Sequence, residues 1–401
     1  MDLISGTPFW TLNNGLLNVY PTLKRNLACD VAIIGGGITG AMCAYYLTQA
    51  GYRVALLEKR EMGWGSTSAS TALLLYEIDV NLGELSEMIG EDDAAQAYRL
   101  CLDAIGGMES LVGELDDDCD FKRRPSLYCA SRSRDMSRLE EEAAMRRKHG
   151  IPCRFLAEDE IAARYSFSYP AAIYSPDAAE VDAYRLSQAL LQKSLERGLL
   201  AFDRTEVTKI ETEGGVRLTT QTGVTVSAGK LVFATGYESQ GYLKQRVANI
   251  INTFAFATEP IENFDGWDER CLIWETARPY LYLRTTGDNR AIVGGEDIPF
   301  KNTAAREALL ERQTGNMKRR FDKMFPRIDT EVAFRWAGTF CDTRDGLAYI
   351  GDSPEWPNAY FALGFGGNGI TYSWLAARII RDFVCGAPNR DARLFGFERK
   401  S

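Results

Sequence analysis

Six consecutive residues, Gly35-Gly36-Gly37-Ile38-Thr39-Gly40, have the spacing GxGxxG, which suits a backbone that holds a pyrophosphate. In this pattern Gly35 permits a tight turn, Gly37 lets the backbone approach the phosphates, and Gly40 lets a helix pack against a strand. Glu58 lies further along the chain, at a point where a carboxylate accepts hydrogen bonds from a ribose diol. The spacing predicts a dinucleotide site without distinguishing NAD from FAD.

The elements that must position these residues form a βαβ unit. Residues 30–34 are apolar throughout, as expected of a buried parallel strand. A helix is predicted from about Ile38 to Gln49, with Gly51 ending it, and a second apolar strand covers 53–57. The helix N-terminus would direct its N–H groups and the positive end of its dipole at the phosphates.

The later chain alternates between helical and strand-like patterns. Residues 82–164 are predicted to be mostly helical, and a further helix is predicted over 182–197. Short strands are predicted at 127–129, 207–210, 216–220, 224–226 and 291–293. Tyr280, Tyr282 and Arg284 alternate along one predicted strand, so their side chains should share one face.

Composition excludes several classes of function. The chain of 401 residues has a net charge of −9, which disfavours a nucleic-acid partner. Its nine cysteines form no CxxC pair and its one histidine, His149, lies in a basic stretch, so neither a metal site nor a Ser-His-Asp triad is expected. Without a signal peptide or an apolar run long enough to cross a bilayer, we expect a cytoplasmic protein with no transmembrane segment.

Three further segments resemble one family. A glycine- and serine-containing stretch follows Glu58, an Ala234-Thr235-Gly236 stretch ends a predicted strand, and a glycine-rich loop covers 364–369. In this order they resemble the D-amino-acid oxidase-like FAD-dependent oxidoreductases, whose branches include the glycine, sarcosine and γ-glutamylputrescine oxidases. The resemblance covers nearly the whole chain. It implies an α/β fold with a Rossmann-like FAD-binding domain and a mixed-sheet substrate domain.

The resemblance also implies which residues contact FAD, and that the flavin is held non-covalently because no His or Cys occurs in 63–71. The cofactor-binding residues expected on this basis are Gly35, Gly37, Ile38, Thr39, Gly40, Glu58, Lys59, Gly65, Ser66, Thr67, Ser68, Val207, Ala234, Thr235, Gly236, Gly338, Gly366, Gly367, Asn368, Gly369 and Ile370.

On the substrate side, the strand that carries Tyr280, Tyr282 and Arg284 resembles the one that lines the family's active site. Arg284 would hold a substrate carboxylate through its planar fork. Two arginines that bind the α-carboxylate in glycine-oxidase-like members are replaced here by Phe340 and Gly367. The sequence Trp336-Ala337-Gly338-Thr339 is instead similar to the corresponding segment of the γ-glutamylputrescine oxidase branch, which oxidises an amine. The site should therefore take hydride from a C–N bond of a small amine or amino acid.

The resemblance implies a discontinuous FAD domain over 28–80, 165–245 and 333–395, and a substrate domain over 81–164 and 246–332. The electron acceptor is O2 or another carrier, and the absence of a lysine in 291–293 favours a carrier. Two alternatives stay open. One is an FAD enzyme that acts on a hydroxy acid or polyol, and the other is a flavin-binding subunit without turnover.

Overall fold

The computed structural model describes residues 4–299 and 302–399, which contain two β-sheets and ten α-helices. The strands are β1 (Ile4–Gly6), β2 (Leu27–Ile34), β3 (Val54–Leu57), β4 (Leu73–Leu74), β5 (Lys122–Cys129), β6 (Arg154–Ala157), β7 (Ala171–Glu180), β8 (Leu200–Phe202), β9 (Val207–Glu211), β10 (Val216–Thr220), β11 (Thr225–Phe233), β12 (Asn249–Thr258), β13 (Leu272–Glu275), β14 (Tyr282–Thr285), β15 (Ala291–Pro299), β16 (Val332–Asp342), β17 (Tyr349–Asp352) and β18 (Ala359–Leu363). The helices are α1 (Phe9–Asn14), α2 (Ile38–Gln49), α3 (Ser66–Ala69), α4 (Leu82–Ile89), α5 (Glu91–Val112), α6 (Met136–Lys148), α7 (Glu158–Arg164), α8 (Ala183–Glu196), α9 (Thr303–Met324) and α10 (Gly369–Cys385).

The smaller sheet is built around a parallel core. Its strand order is β17-β18-β11-β2-β3-β8, and β10 and β9 extend it from β11 as an antiparallel meander. β18, β11, β2, β3 and β8 run parallel, whereas β17 pairs antiparallel with β18. The carboxyl ends of β2, β3 and β11 therefore lie at one edge. The segments that follow them, which begin at Gly35, Glu58 and Ala234, meet there.

Helix α2 has the bounds that the sequence predicts. It begins after the extended residue Gly37, and Gly51, with a φ of 86°, reverses the chain beyond its end. Nearly every α2 residue is buried, because the helix contacts the sheet as well as α8 and α10. Asp182 caps the N-terminus of helix α8, because its carboxylate accepts hydrogen bonds from the N–H groups of Tyr184 and Arg185 at 2.9 Å each.

The larger sheet is mixed, with the order β1-β16-β12-β15-β14-β13-β5-β7-β4 and β6 paired to β7. β5 runs parallel to β13 and antiparallel to β7. Helix α9 contacts β12, β15 and β16, and Met317 and Phe321 of this helix are fully buried in a core with Phe254 and Phe256.

Three local predictions need correction. The strand predicted at 127–129 spans all eight residues of β5, and a second strand, β6, interrupts the helical region, because β7 supplies backbone partners to both. The strands predicted at 224–226 and just after it are one strand, β11. Tyr280 lies before β14 rather than within it, directly after the bend over residues 276–279 that contains Pro279.

The α/β fold class and the mixed second sheet are confirmed. β7 and β16 belong to the larger sheet although they fall mainly in segments assigned to the FAD domain, and the domain boundaries stay a prediction. Across 4–299 and 302–399, none of the helices combines the length and apolar character needed to cross a bilayer.

Candidate functional site

The turn after β2 is packed so closely that only glycine fits at two of its positions. Gly35 has a φ of 110°, and a Cβ added there would lie 2.3 Å from the Ala234 carbonyl oxygen. A Cβ added at Gly40 would lie 1.9 Å from the Gly35 carbonyl oxygen. These close approaches hold the N-terminus of α2 against the ends of β2 and β11, as a pyrophosphate-binding turn requires.

The first turn of α2 faces a cleft of about 1110 Å³. The N-cap residue of this helix is Gly37, which has no side chain to accept a hydrogen bond from the first turn. Thr67, on the short helix α3, instead accepts a hydrogen bond from the Ile38 N–H at 2.9 Å. Ile38 and Thr39 line the cleft, so the positive end of the helix dipole points into it. A phosphate fits this environment.

Glu58 directly follows β3 and lines the same cleft. Its Oε2 accepts a hydrogen bond from the Gly36 N–H at 2.7 Å, and its Oε1 accepts one from the Arg60 N–H at 2.8 Å. Lys59 forms an ion pair with Glu238 at 2.6 Å. The backbone contacts fix the Glu58 carboxylate at the rim, where a ribose diol could share its lone pairs.

The cleft brings together fifteen of the residues predicted to bind the cofactor. These are Gly35, Gly37, Ile38, Thr39, Glu58, Lys59, Gly65, Ser66, Thr67, Val207, Ala234, Thr235, Gly236, Gly369 and Ile370. Gly338, Gly366, Gly367 and Asn368 line a neighbouring cavity instead. Gly40 and Ser68 line neither; Gly40 packs the helix as described, and the Ser68 hydroxyl donates to the Gly65 carbonyl at 2.9 Å.

The neighbouring cavity, which we call the inner cavity, has an empty volume of about 1030 Å³, part of which is open to solvent, and it shares a wall with the cleft. The residues that line both are Ser66, Ser70, Tyr237, Gly369 and Ile370. The two cavities are therefore adjacent, and a dinucleotide in the cleft would bring its second ring system to the border of the inner cavity.

The glycine-rich loop before α10 forms one side of the inner cavity. Gly366 has a φ of 53°, and the Gly367 N–H donates a hydrogen bond to Asp79 Oδ2 at 2.9 Å. The Asn368 side chain donates to the Glu77 carbonyl at 2.9 Å rather than capping α10. The N-terminal end of α10 is thus held at the shared wall, where its dipole favours negative charge.

Aromatic side chains form the other side. The ring centroids of Tyr280 and Tyr282 are 5.5 Å apart, and Trp274 lies 6.4 Å from Tyr280. The Tyr280 hydroxyl donates to Asp79 Oδ1 at 3.4 Å, and the Tyr282 hydroxyl lies 3.0 Å from Thr253 Oγ1. Burial raises the pKa of both tyrosines, so both phenols stay neutral at physiological pH.

Arg284 does not join the two tyrosines in the inner cavity. Its side chain is fully buried further along β14, where Nε donates to the Thr285 carbonyl at 2.7 Å. Nη1 donates to the carbonyls of Ala72 at 2.8 Å and Val181 at 2.7 Å. Alternation along the strand is preserved, but the face that it shares with Tyr282 extends beyond the cavity. Nε and Nη1 are thus engaged by backbone carbonyls, and the side chain does not line the inner cavity in which a substrate carboxylate would lie.

Sequence reasoning missed the acidic lining of the inner cavity, which consists of Glu77, Asp79 and Asp297. Burial, together with the nearby negative charge of Asp79, raises the pKa of Asp297 to about 6. No spacing links these residues, since Asp79 meets Tyr280 across 201 positions of the chain. Strand alternation could not place Asp297 either, because Glu296 has a φ of 57° and interrupts it.

The donor set fits a flavin dinucleotide. Two helix N-termini, those of α2 and α10, border the two adjacent cavities. A Cβ added at Gly65 or Gly369 would meet no atom within 4 Å, so both positions border open space. Among the described residues no cluster of His, Cys, Asp and Glu could hold a metal ion. The structure provides polar ends for phosphates and a cavity with aromatic walls for a ring system and substrate.

Comparison with known proteins supports this interpretation. A family profile described as DAO, FAD dependent oxidoreductase, matches residues 30–383. Glycine oxidase of Geobacillus kaustophilus is 26% identical over 88% of this chain and 92% of its own length. Gamma-glutamylputrescine oxidoreductase of Escherichia coli is 24% identical over 92% of this chain and 87% of its own length. The crystal structure of the Geobacillus glycine oxidase superposes with a TM-score of 0.79 at 23% identity, covering 93% of this chain and 99% of that one.

Proposed function

Because the chain belongs to the DAO family of FAD-dependent oxidoreductases, we propose that it dehydrogenates a C–N bond of a small amine or amino acid. As a member of this family it is an enzyme whose cofactor is FAD. The observation that carries the proposal is the wall shared by the cleft and the inner cavity. It lets a flavin that is anchored by its nucleotide half border a separate space large enough for a small substrate.

Bound FAD supplies a hydride acceptor at flavin N5. In the substrate, the C–H bond breaks as hydride leaves carbon, while the nitrogen lone pair forms the C=N bond. Water would then hydrolyse the resulting iminium ion to a carbonyl compound and an amine or ammonium, and bound FAD would supply the route for the two electrons to O2 or another carrier. The reacting nitrogen must be neutral to provide its lone pair.

The chain's own residues position these groups. We propose that Ile38, Thr39 and Glu58 hold the nucleotide half, since all three line the cleft around the α2 N-terminus. The α10 N-terminus would stabilise negative charge on the reduced cofactor. Tyr280 and Tyr282 would enclose the substrate as neutral, apolar walls with hydroxyl groups. We assign Arg284 a structural role.

The names of the relatives support a nitrogen-containing substrate, because glycine oxidase and gamma-glutamylputrescine oxidoreductase both act on such compounds. We further propose that the protein works in the cytoplasm, in keeping with nine cysteines that are all free thiols.

The test is anaerobic addition of matched substrates to the FAD-loaded protein, followed by its visible spectrum. Amines or amino acids are expected to bleach the flavin bands, whereas the hydroxy acids and polyols of the same carbon skeleton leave them unchanged. Bleaching by a hydroxy compound but by no amine would establish the hydroxy-acid alternative. A spectrum that no compound bleaches would favour a flavin-binding subunit. Readmission of air then distinguishes an oxidase, which reoxidises quickly, from a dehydrogenase.

A further inference from the structure

The lining of the inner cavity has an uneven charge distribution. Glu77, Asp79 and Asp297 contribute three carboxyl groups, while none of the described residues that line it is a lysine, arginine or histidine. A substrate carboxylate would meet no cationic partner in this lining. A substrate cation would meet several anionic ones.

Three buried polar atoms of the same lining have no hydrogen-bond partner among the described residues: Glu77 Oε2, Asp297 Oδ1 and Trp274 Nε1. Unsatisfied buried polar atoms are rare in folded proteins and indicate a missing partner. The negative charge of Glu77 is already balanced within the protein, since its other oxygen, Oε1, accepts a hydrogen bond from Ser126 Oγ at 2.7 Å and lies 3.6 Å from Arg146 Nη1. Asp297 interacts with the Thr253 hydroxyl and, at longer range, with the exposed Arg278, but no cationic side chain of the lining pairs with it, so it is suited to bind an external cation.

Aromatic rings complete the environment. The rings of Trp274, Tyr280 and Tyr282 form one continuous series along the cavity wall, with centroid separations of 6.4 Å and 5.5 Å. Ring faces attract alkylammonium groups, most strongly where water is excluded. The combination of rings and a carboxylate that has no cationic partner in this lining is suited to an ammonium ion.

We propose that the substrate is an aliphatic diamine, one nitrogen of which reacts while the other stays protonated and binds Asp297. The inference rests on the proposed dehydrogenation of a C–N bond and specifies its substrate class. A reacting nitrogen must be neutral, so it cannot also be the cation that Asp297 requires. A second, protonated nitrogen in the same molecule satisfies both conditions.

One basic side chain comes close to this region. Arg278 is exposed, its guanidinium lies 4.6 Å from the centroid of the Tyr280 ring, and it donates to the backbone carbonyl of Asp79 at 3.4 Å. It does not line the cavity. A substrate with a distal carboxylate could reach it, and an ω-amino acid therefore serves as the competing probe.

The experiment compares three probes of equal length on the FAD-loaded protein: 1,4-diaminobutane, butylamine and 4-aminobutyrate. Anaerobic flavin reduction gives kcat/KM-type rate constants and apparent Kd values for each. We expect the diamine to exceed butylamine by at least about tenfold, because a charge-assisted hydrogen bond in a buried site contributes an effect of this size. The ω-amino acid should be the poorest of the three.

Asp297→Asn removes the charge with little change in shape. This variant should reduce the diamine-to-butylamine ratio of rate constants to about one. Asp342→Asn is the matched control, since Asp342 Oδ1 is also buried without a partner but its residue lines neither cavity. The control should keep the diamine preference.

Each outcome has one meaning. Faster reduction by 4-aminobutyrate than by the diamine, or a diamine preference that survives Asp297→Asn, overturns the diamine proposal. Bleaching by α-amino acids alone also overturns it, yet leaves C–N dehydrogenation intact. Only the failure of every amine and amino acid would refute the proposed function itself.

Discussion

Arg284 shows how burial decides what a charged side chain can do. Its guanidinium donates to the carbonyls of Ala72, Val181 and Thr285, which belong to three separate segments of the chain. Such a network orders the backbone beside the inner cavity and leaves the guanidinium no freedom to turn towards a substrate.

We predict that Arg284→Lys lowers the free energy of unfolding by about 3 kcal/mol, because an ammonium cannot reach three carbonyls at once. Thermal or urea unfolding of the FAD-loaded variant measures this. The KM of the folded variant should change little. A large rise in KM without loss of stability would instead show that Arg284 binds substrate.

Burial of the Asp297 carboxylate lowers the stability of the substrate-free protein, although the same group is proposed to bind the substrate. In the unfolded chain its pKa is near 3.8, and in the folded protein burial raises the pKa to about 6. The folded state therefore binds more protons between these values, so the stability that this group contributes is present at low pH and is lost as the pH rises through about 6.

Asp297→Asn should accordingly raise the stability of the substrate-free protein by about 2 kcal/mol near neutral pH and have no effect near about pH 4. Melting temperatures of the wild-type and variant proteins across this range provide the measurement. A variant that is less stable than wild type at neutral pH would mean that the interactions of the charged carboxylate in the folded protein outweigh the cost of its burial.

At the scale of elements, α10 links the core to the site. Its first residues line both cavities, and Trp374, one turn further on, packs against Gly107 of α5. A Cβ added at Gly107 would lie 2.1 Å from the Trp374 ring. The position of the α10 N-terminus therefore depends on Gly107, which is far in sequence from the residues predicted to bind the cofactor.

We predict that Gly107→Ala destabilises the protein by about 2–3 kcal/mol and weakens FAD binding, because α10 must shift away from α5. The neighbouring Gly106→Ala is the control: an added Cβ there meets nothing within 4 Å, so this variant should be neutral or stabilised by up to about 1 kcal/mol. Equal effects of the two substitutions on the FAD Kd would contradict this account of α5–α10 packing.

Local elements with a strong periodic signal were predictable, and long-range pairings were not. Glycine spacing and apolar patterning located β2, α2 and β3, because each depends on its own residues. β5 was recognised only in part, since its first residues, Lys122 and Arg123, are exposed and become strand through pairing with β7. The Asp79 and Asp297 positions in the inner cavity depend on contacts and on a break in alternation that no sequence pattern encodes.

At the scale of the whole molecule, the nucleotide cleft is lined by several separate segments of the chain, the first at Ile34 and the last at Ser373. A ligand that binds this folded surface and not the unfolded chain stabilises the whole fold, by about 2.7 kcal/mol when present at 100 times its Kd. FAD should therefore raise the melting temperature of the apoprotein in a concentration-dependent manner.

FMN is the matched control ligand, because it lacks the adenosine half that the Glu58 and Val207 end of the cleft would bind. We predict a clearly smaller shift with FMN than with FAD. Equal shifts would show that the adenosine end of the cleft contributes nothing to binding.

The most direct test of C–N dehydrogenation is anaerobic, rapid-mixing reduction of the FAD-loaded protein by an amine with hydrogen or deuterium on the carbon attached to nitrogen. We predict that the amine bleaches the flavin bands and that deuterium slows the bleaching several-fold, because that C–H bond breaks in the step. Bleaching at the same rate with both isotopologues would place bond cleavage elsewhere, and a flavin that no amine or amino acid reduces would contradict the account.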